Sequence, residues 1–328
     1  MTREADWIEF LRRRFPAGAG VRVGIGDDAA VLRGPGGSDL VITTDLLIEG
    51  QHFLRRLHPP RAVGWKALAR SLSDCAAMGA RPRWALVALA FPASTPAKWV
   101  KEFFEGVGLL ARLSGVAVAG GDLSVAKQIV ADVQVIGTVP PGRALLRSGA
   151  RPGDLIFVSG TLGAAGLWLA ILRRRLIALE DVAIRAYRAS CLPEPRLALG
   201  RKIVSRARPT AMIDISDGLS TDLNHICEAS RVGARLYQDR IPAVDIPAPL
   251  ARRLRTTGLQ LALNAGEDYE LLFTLPKARA QRLPRMLAGI KLTPIGEITR
   301  DRRVVLVDGK GRARPLPPRG WDPFRAKR

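Results

Sequence analysis

Carboxylates that end or interrupt apolar segments are the residues of this chain best suited to chemistry. In GIGDDAAVLRGPGGSDLVITTDLLIEGQHF, Asp27 and Asp28 precede one strand-like run, and Asp45 closes another directly after the hydroxyls of Thr43 and Thr44. Asp74 sits in SLSDCAAMG, Asp122 in AVAGGDLS, and Asp214 with Asp217 in AMIDISDGLSTD. A carboxylate is seldom buried unless it is paired or metal-bound. Five such places in one basic chain are therefore better explained together than singly. Their common property is hard oxygen donation, which suits Mg²⁺ held against substrate phosphates.

Taken one at a time, each acid also has a purely structural use. Asp27 and Asp28 suit an Asx-type turn, Asp45 the end of a strand, and Asp214 and Asp217 the N-terminus of a helix beginning at GLSTDL. Asp74 has no such capping use, because it lies among Ala69, Leu72, Ala76 and Ala77 on a helix pattern. Asp122 follows two glycines at a strand end, where α/β ligands gather. Arg147 offers a fork that fits a phosphate bidentately. His52 is a substrate contact or a satisfied histidine after a strand. In NAGEDYELLFT, Glu267 and Asp268 form a turn or face a substrate, and Trp321 is a surface anchor or an aromatic plate for a flat ring.

Familiar nucleotide loops are missing. GVRVGIGDD lacks the G-x-G-x-x-G order, since Ala29 stands at the third glycine's place, and no G-x-x-x-x-G-K-[ST] or H-R-D/D-F-G pair occurs. The formal charge of +21 favours phosphorylated partners. Its arginines are dispersed, however, and coincide with no nucleic-acid reading motif, so neither nucleic acid nor membrane is expected as a partner. A basic RNA-binding or scaffold protein would leave the acids unexplained. Cys75, Cys191 and Cys227 lie far apart, and the start MTREADWIEFLRRRF carries charges where a signal peptide is apolar. Both features predict a cytoplasmic location.

The elements that must position these residues follow from periodicity. An opening amphipathic helix over 5–15 precedes a glycine-rich loop, two pairing strands around GPGGSD, and a helix started by Pro59 and Pro60 that contains Asp74. A strand over 84–90 leads to a helix with Thr95 as cap and Trp99, Phe103, Val107 and Leu110 on one face, closed by Gly115. Two more strands reach Pro140, and PPGRALLRSGARPGD reads as a crossing to a second domain. The 328 residues thus divide into domains at 1–142 and 143–328, of α/β (α+β) class.

GIGDDAAV, TTDLLIEGQHF, SLSDCAAMGARP, AGGDLS, RALLRSGARPGD, IDISDGLSTDL, AGEDYELLFT and GWDPF, in that order and over essentially the whole chain, resemble the thiamine-monophosphate kinase family. That family belongs to the aminoimidazole-ribonucleotide-synthetase-like superfamily; a ligase of the same fold is the enzyme alternative. The resemblance implies a two-domain PurM-like fold, with an N-terminal sheet that forms a barrel across a homodimer and a C-terminal α/β domain. It implies Mg²⁺-assisted, in-line phosphorylation of thiamine monophosphate by ATP, the final step of thiamine diphosphate biosynthesis, with no covalent nucleophile. By resemblance, metal roles fall to Asp28, Thr43, Thr44, Asp45, Asp74, Asp122, Asp214 and Asp217. ATP contacts fall to Thr43, Gly121, Asp122, Arg147 and Ser216, and substrate contacts to His52, Glu267 and Trp321. AGEDYE stands where the family usually has GGEDYE, which puts the backbone at Ala265 in question.

Overall fold

The computed structural model describes residues 3–324. The chain divides into two compact units, one of residues 17–144 with 191–197 and one of the described parts of 1–16, 145–190 and 198–328. The first half of the chain runs α1 (Glu4–Arg14), β1 (Val21–Val23), β2 (Ala30–Arg33), β3 (Asp39–Ile48), α2 (Pro60–Ala77), β4 (Arg81–Phe91), α3 (Ala97–Ser114), β5 (Ala117–Val125) and β6 (Val130–Val139). It continues with β7 (Leu155–Ser159), α4 (Ala164–Arg174), α5 (Glu180–Cys191), α6 (Leu197–Ala207), β8 (Ala211–Asp214), α7 (Leu219–Ser230) and β9 (Gly233–Tyr237). Last come α8 (Ala248–Leu254), α9 (Gly258–Asn264), β10 (Leu271–Leu275), α10 (Lys277–Ala280), β11 (Met286–Leu287), β12 (Ile290–Thr299), β13 (Val304–Val307) and β14 (Ala313–Pro315).

In the smaller unit the strands form one six-stranded sheet ordered β1-β2-β3-β6-β4-β5. The two strands flanking GPGGSD pair antiparallel from Ala30↔Ile42 to Arg33↔Asp39, as the turn between them predicts. Strand β1 arises inside the stretch read from sequence as a glycine loop. The barrel implied by the resemblance does not form: the sheet is open, with β1 and β5 as its two edges. Closure requires the edge strands to share a hydrogen-bond ladder. Here a three-residue β1 and a nine-residue β5 each pair on one side only.

Helix α2 packs on β3, β6 and β4, and α3 packs on α2. The two helices approach closely because a Cβ at Gly64 would overlap the Phe103 carbonyl and one at Gly106 would overlap the Arg61 carbonyl. Burial of α2 on both sides explains its thirteen buried residues, from Ala62 to Ala77. On α3 the expected stripe of Trp99, Phe103, Val107 and Leu110 is buried, and Gly115 ends the helix with φ 66°. Thr95 is not the cap; Pro96 holds that position without a side-chain bond. Residues 191–197 join this unit, where Trp65 Nε1 donates to the Pro193 carbonyl at 2.8 Å.

The larger unit is built on a sheet ordered β14-β13-β9-β12-β7-β10-β8, with β11 paired to β12. The last three strands in that order, LIFVS, LLFTL and AMID, are almost wholly buried, which is why they read as continuous apolar runs. Ile156, Val158, Ile213, Leu223, Leu272 and Ile298 belong to its main core. A second cluster joins α4, α5 and α8 through Leu167, Ile171, Val182 and Leu250. Among the described residues, no helix is long and apolar enough to cross a membrane.

Candidate functional site

In the smaller unit the acids lie on and around β3, and the two-residue period of a strand sorts them. Odd-numbered residues of β3 face α2: the Thr43 hydroxyl donates to Asp74 Oδ2, and Arg70 Nη2 donates to Asp45 Oδ1 at 3.0 Å. Thr44 points to the opposite face, where its hydroxyl donates to Asp132 Oδ1 of β6. Asp132 and Asp122 flank Ala88 in register, so both project on that face. They line one shallow depression of about 110 Å³. Asp45 lies inside β3 and Asp122 inside β5, neither at a strand end.

Asp28 is buried in the turn before β2, and its amide donates to Asp27 Oδ1 at 3.0 Å. Gly121 is required by packing, since a Cβ there would overlap the Val87 carbonyl of β4. His52 follows β3 with its Nδ1 accepting the Ile48 amide at 3.0 Å, while the buried Lys66 Nζ donates to its carbonyl at 3.3 Å. These bonds fix its backbone and orient its ring.

In the larger unit, loops carry the candidates. Asp214 ends β8, and the connection to α7 holds Ser216 and Asp217. The cap of α7 is Gly218, with no side-chain bond, so Asp217 does not serve as the capping residue. Asp222, one turn on, holds the connection to the helix instead: its Oδ2 accepts the amides of Asp217 at 3.2 Å and Gly218 at 3.0 Å. The AGEDYE loop is tied to the same connection by the Glu267 amide to the Ser216 carbonyl, 2.7 Å, and the Tyr269 amide to the Ile215 carbonyl, 2.9 Å. Glu267 and Tyr269 adopt left-handed φ of 61° and 50°. Gly266 has φ 74° and no room for a Cβ beside the Ser216 carbonyl.

Ala265, by contrast, is helical with φ −87° and ψ −32°. Its methyl instead occupies the space left by Gly166 of α4, where a second Cβ would overlap it. The C-terminal segment returns to the same place: the Trp321 amide donates to the Asp217 carbonyl at 3.0 Å, and Gly320 N to Thr221 Oγ1 at 3.0 Å. Asp214, Ser216, Asp217, Glu267 and Trp321 therefore share one loop cluster.

Electrostatically this cluster is unusual. Ligand atoms of Asp217, Asp222 and His225 lie within 4.8 Å of one another. Burial raises the Asp222 carboxyl well above the usual carboxylate range, helped by Asp217 and Asp214. Burial, with Arg147 nearby, pushes His225 down to about 4 and keeps it neutral. Asp268 is raised by burial against the Gly163 amide, to which both its oxygens bond at 2.9 and 2.8 Å. That bond makes Asp268 a brace for the start of α4.

Sequence reasoning missed Asp132, Arg70, Asp222 and His225. Asp132 carries a signal, being the one charge in an otherwise apolar strand, and Arg70 is the middle of three charges, with Lys66 and Asp74, at four-residue spacing on α2. Asp222 and His225 stand three apart on α7 and read as ordinary polar positions.

Two family models match the chain: AIR synthase related protein, N-terminal domain, over residues 26–139, and AIR synthase related protein, C-terminal domain, over 151–309. The thiamine-monophosphate kinase of Escherichia coli (strain K12) is 39% identical over 308 residues, 93% of this chain and 92% of the relative. That of Bacillus subtilis (strain 168) is 35% identical over 302 residues, 90% of each. The solved structure of AaThiL complexed with AMPPCP and TMP superposes with TM-score 0.86 at 31% identity, covering 98% of this chain and 97% of that one.

Proposed function

The chain belongs to the thiamine-monophosphate kinase family, and from that premise we propose that it transfers the γ-phosphoryl group of ATP to thiamine monophosphate, giving ADP and thiamine diphosphate. The observation that carries this is the full-length likeness to AaThiL holding AMPPCP and TMP. The experiment is direct: ADP release from ATP on adding thiamine monophosphate, with thiamine diphosphate identified as product. Absence of both at saturating substrates and Mg²⁺ overturns the reading.

Phosphoryl transfer needs positive charge around the phosphates and alignment of the incoming oxygen more than it needs a covalent group. An acceptor phosphate is already anionic near neutral pH, so no general base is required and no catalytic nucleophile is assigned. The donor set fits Mg²⁺, because it consists of carboxylate and hydroxyl oxygens without thiolate. Asp28, Thr43, Thr44, Asp45, Asp74, Asp122, Asp214 and Asp217 would hold the ions, which neutralise phosphate charge when bound. Thr43, Gly121, Asp122, Arg147 and Ser216 are assigned to ATP. His52, Glu267 and Trp321 are assigned to thiamine monophosphate, the indole suiting a cationic thiazolium. In this reading residues 1–142 are the domain of ATP and Mg²⁺ and residues 143–328 supply the substrate-contacting loops.

The assembly assigned here is a homodimer. Support comes from β5, exposed along all nine residues with Val118, Leu123 and Val125 bare on an edge strand. A single sedimenting species near 35.5 kDa at micromolar concentration would count against it. Three buried cysteines without a disulfide accord with a cytoplasmic site of action.

A further inference from the structure

Arg70 was not among the residues that the motifs single out, yet its position bears directly on the acids. It lies on α2 one turn before Asp74, so the two side chains share a helix face. On that face its Nη2 meets Asp45 Oδ1 at 3.0 Å, with the two side chains only 16% and 24% exposed. A guanidinium stays protonated at any working pH. A permanent positive charge therefore stands against a carboxylate that the proposed reaction gives to a divalent cation. A partly buried pair is weakly screened by salt, so the charge both holds the Asp45 carboxylate in one orientation and opposes a second positive charge there.

We propose that Arg70 is a positioning residue that takes a cation's place on Asp45 in the enzyme without nucleotide. The acids beside α2 then bind a divalent cation weakly by themselves, and the cation is gained together with the phosphates that add negative charge. This inference rests on Asp45 being a cation ligand in the reaction proposed above.

Mn²⁺ binding to the full-length enzyme without nucleotide, followed by electron paramagnetic resonance, tests it. Arg70→Gln should bind Mn²⁺ at least about fivefold more tightly than wild type, while Arg70→Lys, which keeps the charge, stays within about twofold. Equal or weaker binding by a folded Arg70→Gln overturns the proposal, because a merely structural arginine has no reason to suppress cation affinity. If Arg70→Gln does not fold, the wild-type protein decides. Its Arg70 Nε–H resonance, assigned by its loss in Arg70→Lys, should shift saturably with Mg²⁺; calorimetric Mg²⁺ binding without such a shift overturns the proposal. Thiamine monophosphate phosphorylation by the same wild-type preparation tests the reaction separately, so failure of either reading is seen without the other.

Discussion

The candidate residues of the two units are built by opposite means. In the smaller unit most of them project from regular elements, Thr43, Thr44 and Asp45 from β3, Asp74 and Arg70 from α2, Asp122 from β5, while Asp28 and His52 stand in turns beside β2 and β3. Their backbones are set by sheet and helix ladders, so a side chain there can change without moving its neighbours. In the larger unit, the β8–α7 connection, the AGEDYE loop and the C-terminal segment hold one another by backbone bonds through Ser216, Asp217 and Ile215. There the main chain itself is the device, and it depends on left-handed residues that few side chains tolerate. The difference teaches where function and stability separate: in the ladder-built group they are distinct, and in the loop-built group they are joined at the glycines.

The largest effect sharpens that contrast through charge alone. Asp74→Asn and Asp217→Asn each preserve shape, and each should lower turnover by about 10²-fold or more at saturating Mg²⁺. The melting temperature should change little. Turnover within threefold of wild type, about 0.7 kcal/mol, would remove either residue from the role assigned.

Gly266→Ala puts the joined case to the test. With φ 74° and the Ser216 carbonyl against the new Cβ, it should cost about 2 kcal/mol or more of stability. It should raise KM for thiamine monophosphate more than KM for ATP. Denaturant unfolding and paired KM measurements check both; an unchanged unfolding midpoint would break the comparison.

Trp321→Ala should weaken thiamine monophosphate binding by about fivefold, roughly 1 kcal/mol, and leave an ATP analogue's Kd nearly unchanged. Titration calorimetry reads both. Equal losses, or a loss confined to the nucleotide, would show the indole to be only an anchor for the segment bonded to Asp217.

The smallest effect is in pH. His225 has an ordinary value of 6.5 and lies at about 4 when folded. Below pH 6.5 the unfolded chain takes up a proton that folded His225 refuses, so stability falls as pH drops from 6.5 to about 4 and levels off below that. Asp222, raised by burial, acts with opposite sign: its contribution is fullest below 3.8 and is lost as pH rises above it. His225→Gln should therefore flatten the acid-side fall in melting temperature between pH 6.5 and 4, by more than about 2 °C. A parallel fall in both proteins would remove His225 as its source.

Much of the architecture was legible because burial writes periodicity. The stripe Trp99, Phe103, Val107, Leu110 announced α3, and the apolar runs LIFVS and LLFTL lie in strands that are almost wholly buried. The acids stood out because carboxylates within apolar runs are costly. Ala265 was an open question in the motif, and its helical angles answer it: the methyl fits because Gly166 has none.

By itself the sequence determined the alternation of strands and helices, the oxygen-donor character of the candidate residues and the family. Each of these depends on residue type and spacing along the chain. The tertiary structure decided that the sheet stays open, that Thr43 and Thr44 serve opposite faces, that Arg70 lies on Asp45 and that Asp222 with His225 stands beside Asp217. Those relations join residues distant in the chain, or depend on register, and a one-residue change of register reverses every side chain on a strand.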